Sequence, residues 1–133
     1  MDSHALLRAF NDHFEEFMDD VLRVFPDDAE CNRASAALRA MRRANPGLII
    51  RVFGDRVCEP YRSEISAGEL AFFVDKDYRN DVQAASFASP ALSKIEALRA
   101  PIRAMGEADK KAVIKYMQNL LRLVDMYQES KKG

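Results

Sequence analysis

Nine apolar residues near the start of the chain, Leu6, Leu7, Phe10, Phe14, Phe17, Met18, Val21, Leu22 and Phe25, recur at intervals of three and four. That is the period of an α-helix, and a strand, whose side chains alternate faces, would scatter them over both sides. The spacing predicts an amphipathic helix from Ser3 to Phe25, with Ser3 as N-cap. Pro26, with Asp27 and Asp28, ends this helix and starts the next.

Within it lies the stretch FNDHFEEFMDD, in which Asp12, Glu15, Glu16, Asp19 and Asp20 project from the face opposite the apolar stripe. Carboxylates and a histidine on one helix invite a metal site, because His13, Glu16 and Asp20 share an edge. Carboxylate-bridged di-metal bundles, however, draw matching sets from facing helices. The chain has two histidines, His4 and His13, on opposite sides of this one helix, and later helices offer no inward carboxylates at matching spacing. The acids therefore read as a solvated face able to meet something basic, with no metal and no cofactor.

Further along, 28–44 reads as a second helix with Cys31, Ala34, Ala37, Leu38 and Met41 inward. Asn45-Pro46 reads as a cap followed by a first-turn proline, opening a third helix through Leu48, Ile49, Val52, Phe53 and Val57. Pro60, Ser66 and Gly68 break that pattern. The apolar cluster Leu70, Phe72, Phe73 and Val74 suits a short strand or a short helix, and with no second strand to pair with it is read as helix. AASFASP reads as a loop, Ser89-Pro90 as a helix start, and Pro101 as a break after Ala100. A long helix follows over 107–127, with Val113, Tyr116, Met117, Leu120, Val124 and Tyr127 inward and Lys111, Lys115 and Arg122 outward. The expected architecture is all-α: one domain over 1–129, a compact bundle of five to six helices, and a frayed tail at 130–133.

The net charge of −1 conceals strong segregation. Residues 1–30 sum to −7, 31–62 to +5, 63–89 to −3 and 90–133 to +4. Alternation of this kind suits neighbouring segments packed with complementary surfaces, and argues against one basic nucleic-acid patch. The arginines Arg39, Arg42, Arg43, Arg51, Arg56 and Arg62 have two readings. They pair with the acidic first helix, within the chain or across a dimer, or they contact nucleic-acid phosphates. The acidic complement is present in the same chain, so pairing is the leading reading.

Other chemistries fail on spacing. His4, His13, Cys31 and Cys58 lack paired zinc-ligand spacing, and the two cysteines read as buried free thiols in a reducing, intracellular setting. Asp75, Asp77, Asn80 and Asp81 suggest a calcium loop, but Arg79 occupies a ligand position and the required glycine and glutamate are missing. The serines have no glycine elbow, and Gly47, Gly54, Gly68 and Gly106 are too isolated to cradle a phosphate. The pattern does not point to an enzyme. No apolar run approaches the ~20 residues of a membrane span, and MDSHALLRAF lacks a signal-peptide layout.

The series FNDHFEEFMDDVLRVFPDD, ANPGLIIRVF, EISAGELAFFVDKDYRND and IRAMGEADKKAVIKYMQNLLRLVDMY resembles a family of small uncharacterised proteins from nucleocytoplasmic large DNA viruses, the giant algal and amoebal viruses. The likeness runs from Phe10 to Tyr127 and rests on the VFPDD helix end, the NP helix start, the GEL-FF-KDY block and the final amphipathic helix. It carries no activity or site residue with it. It implies a viral protein in an infected eukaryotic cell, in the cytoplasm, nucleus or virus factory, or packed in the virion. Combined with the charge pattern, the expectation is a non-enzymatic interaction or structural protein that binds viral partners or itself. Its candidate contact residues are Asp12, Glu15, Glu16, Asp19, Asp20, Arg39, Arg42, Arg43, Arg51 and Arg56. A nucleic-acid-associated factor using 39–62 is the alternative.

Overall fold

The first helix, α1, spans Ser3–Val24 and lays Leu6, Phe10, Phe14, Phe17, Met18 and Val21 into the interior. The computed structural model describes residues 2–74 and 90–132. Its N-cap is Asp2 rather than Ser3: the Asp2 carboxylate accepts from the Ala5 backbone N–H at 2.8 Å. A carboxylate there satisfies a free amide and also meets the positive end of the helix dipole, which the Ser3 hydroxyl would do less well. Asp28 caps α2 (Ala29–Ala44) in the same way, accepting from Cys31 N at 2.9 Å.

Asn45 closes α2 instead of opening α3: its N–H donates to Met41 O at 2.8 Å. The next helix, α3 (Leu48–Phe53), begins after Gly47, leaving Pro46 in the connecting turn. It runs into a π-helical turn, Gly54–Cys58, in which Glu59 N donates to Gly54 O at 2.9 Å. Gly54 is needed there for close approach, since a Cβ would stand 3.1 Å from Val124 Cγ1.

Ser66, expected in a turn, ends a short helix, α4 (Arg62–Ser66), and the chain reverses at Gly68 with φ of 76°. That left-handed conformation is cheap only for glycine. The 71–74 segment is helical, as expected: α5 is Ala71–Val74, with Phe72 stacked on Tyr61 at 5.0 Å. The residues of the calcium-like pattern (75–81) and the AASFAS loop (84–89) lie outside those described.

The break expected after Ala100 comes earlier, between α6 (Pro90–Glu96) and α7 (Arg99–Arg103). Pro101 lacks an N–H and its ring crowds the carbonyl four residues before it, which is that of Ala97. The disruption therefore falls at Ala97, and Pro101 sits in the first turn of α7, where a missing donor costs little. The last helix, α8, runs Glu107–Lys132, so 130–132 continue the helix instead of fraying. Ser130 Oγ donates to Tyr127 O at 2.7 Å, and Lys131 Nζ lies 5.1 Å from the Tyr127 ring centroid.

Among the described residues, three long helices frame the fold. Arg23 meets Asp109, His13 and Phe17 meet Tyr116, and Ala9 faces Leu123, so α1 and α8 are antiparallel. Asp19 meets Arg39, Asp12 meets Arg42, and Asn11 meets Pro46, so α1 and α2 are antiparallel too. The short helices close the bundle, α6 against α2 and α3, α4 against α8, and α5 against α7. At the centre Phe14 makes edge contacts with Phe17 (5.8 Å) and Phe53 (5.6 Å), while Phe10 lies 5.9 Å from Phe53. The fold is all-α, and no strand occurs among the described residues.

Candidate interaction surface

Antiparallel packing puts the acids of α1 beside the arginines of α2. Asp12, Glu15 and Asp19 follow one another at helical spacing, as do Arg39 and Arg42, so the two rows mesh. Arg39 Nη1 donates to Glu15 Oε1 at 2.6 Å and its other terminal nitrogen donates to Asp19. Arg42 donates to Asp12 at 2.8 Å and through its second terminal nitrogen to Glu15. Glu15, 23% exposed, is thus clamped between two guanidinium groups. Ser35, buried on α2, accepts from Arg39 Nε at 3.3 Å and steadies its stem. Burial pulls the Arg42 guanidinium down, but its hydrogen bonds to the Glu15 and Asp12 carboxylates, with their charges, outweigh it and leave it above its ordinary value.

The remaining predicted residues divide. Asp20 pairs with Arg23 at 3.0 Å, and Arg23 reaches on to Asp109 at 3.3 Å. Glu16 stands 3.4 Å from His13 Nδ1, and the His13 ring packs 5.0 Å from Tyr116. The neighbouring face holds Tyr116 above its ordinary value, burial first and the charges of Asp20 and Glu16 after it. Arg43, Arg51 and Arg56 are exposed and have no ion pair among the described residues. Arg62, from the same arginine run, is held by a two-pronged pair with Asp125 at 2.6 and 2.9 Å. The six arginines of this run therefore have three fates: Arg39 and Arg42 tie α2 to α1, Arg62 ties α4 to α8, and Arg43, Arg51 and Arg56 face outward.

Sequence reasoning missed a cleft of about 340 Å³ at the α1 and α2 ends, lined by His4, Leu7, Arg8, Asn11, Arg42, Arg43 and Pro46. One signal could have found it. Asn11 falls between Leu7 and Phe14 on the apolar stripe, and a polar side chain at a buried position requires partners. Asn11 is 2% exposed; its Nδ2 donates to Pro46 O at 3.0 Å, while its Oδ1 has no partner among the described residues.

Cys31 and Cys58 are buried free thiols. Burial raises Cys31 to about 11, with a smaller push from Asp28. Burial raises Cys58 to about 12, with Asp125 and Glu59 adding and Arg62 opposing. Thiols so protonated are poor nucleophiles and poor ligands at neutral pH. Among the described residues, no three His, Cys, Asp or Glu side chains come together as a metal-binding set, and no helix is long and apolar enough to cross a membrane. Comparison with protein-family models, curated proteins and solved structures finds no match to the chain.

Proposed function

We propose that the chain is a small helical interaction protein of a nucleocytoplasmic large DNA virus, working without catalysis in the virion or the replication factory of an infected cell. It acts through contacts with viral proteins or with further copies of itself. The division of the arginine run supports this reading. Arg39 and Arg42 are already neutralised by α1, and what is left outward is spread over the end of α2, α3 and the π-turn. Phosphate tracking needs a continuous basic groove, whereas scattered charges on a rigid helical frame suit a protein partner. The sequence likeness to the viral family supplies the setting.

Mass spectrometry of purified virions, run beside crosslinking pull-downs from infected cells, tests the proposal. Recovery at fixed stoichiometry with one viral protein, or with the chain itself, is the expected result. The competing reading keeps Arg43, Arg51 and Arg56 as phosphate contacts. It replaces the first if the protein binds DNA or RNA with a steep salt dependence. That binding must also vanish when the three arginines become glutamate and stability is unchanged.

A further inference from the structure

We draw no further inference here: the strongest candidate, the cleft between α3 with its π-turn and the end of α8, lined by Arg51, Asp55, Tyr127 and Lys131, carries nothing, because its two exposed cations stand beside an acid and nothing in the structure shows what covers it.

Discussion

The inner and outer faces of α1 meet their neighbours by different physics. Inward, Phe10, Phe14 and Phe17 are covered by Phe53, Tyr116 and one another, with exposures of 1% or less. Outward, Glu15 and Asp19 meet Arg39, and Asp12 and Glu15 meet Arg42, at positions a quarter or more exposed for the arginines. Burying one phenylalanine contributes about 1.5–3 kcal/mol from removed area alone. A surface ion pair contributes about 0–1 kcal/mol, because water already solvates both charges and ordering two long side chains has an entropic cost. The inner face thus supplies the stability. The outer face supplies registration: Glu15 fits between Arg39 and Arg42 only when α2 runs antiparallel to α1 with Pro46 beside Asn11.

The largest effect should come from the inner face. Phe14 touches Phe10, Phe17 and Phe53 at ring distances of 5.6–5.9 Å, so Phe14→Ala leaves a void ringed by rigid aromatics that cannot collapse into it. Urea unfolding should show a loss of about 3–5 kcal/mol. A loss below about 1 kcal/mol would mean that the aromatic cluster is not the core and that the contrast between the faces is mistaken.

Next comes charge reversal on the outer face. Arg39→Glu with Arg42→Glu confronts three acids with two more, and a loss of about 2 kcal/mol is expected in low salt. Because the seam is partly exposed, molar salt should recover much of it. Adding Glu15→Arg to the double variant should recover part as well. A salt-independent loss as large as that of Phe14→Ala would show that the seam is buried more deeply than its exposure indicates.

These two faces were unequally legible in the sequence. The apolar period of α1 and of α8 announced both helices and their inner residues, because a long helix repeats its pattern often enough to be unmistakable. The pairing of acids with arginines was legible as a charge balance, but which arginines pair depends on the direction and register of α2, and those are tertiary. Arg39 and Arg43 are indistinguishable as letters, yet four positions on a helix and the end of α2 separate a clamp from a cation with no ion pair among the described residues. From the end of α2 to residue 103 the described segments are short, so each boundary hangs on one local interaction. Asn45 closing α2, the break at Ala97 and the helix ending at Ser66 were all placed differently by sequence for that reason. The Arg8–Asn11–Arg43 cleft joins residues some 35 apart, and only the single buried asparagine hinted at it.

The thiols report on the inner side by another route. Cys58 ionises at about 12 when folded, against an ordinary 9.0. Its folded value is the higher one, so the unfolded chain releases the proton first as pH rises. The stability it contributes is complete below pH 9 and is lost progressively between 9 and about 12. At pH about 10 the loss is on the order of 1 kcal/mol. Lysines and tyrosines also titrate there, so the measurement is the difference between the wild type and Cys58→Ala. The variant starts less stable but should lose less of its stability between pH 8 and 10 (roughly the onset of thiol ionisation). Equal slopes would place Cys58 in contact with water.

The smallest expected effect sharpens the comparison most, because it holds residue type constant. Arg51 and Arg56 belong to the same arginine-rich stretch as Arg39, are exposed, and have no ion pair among the described residues. Arg51→Glu shortens the side chain and inverts its charge on the rim of a second cleft, where Asp55 and Lys131 are neighbours. The new carboxylate gains Lys131 as an opposite charge and Asp55 as a like one, two screened contributions of similar size and opposite sign. Arg51→Glu and Arg56→Glu should each shift unfolding by no more than about 0.5 kcal/mol, the range for surface positions free of special contacts. Measured by urea titration in low salt, where surface charge counts most, both should stay well below the double reversal at Arg39 and Arg42. If either matched it, the distinction between arginines that register the bundle and arginines that face outward would fail, and with it the reason for assigning the outward set to a partner.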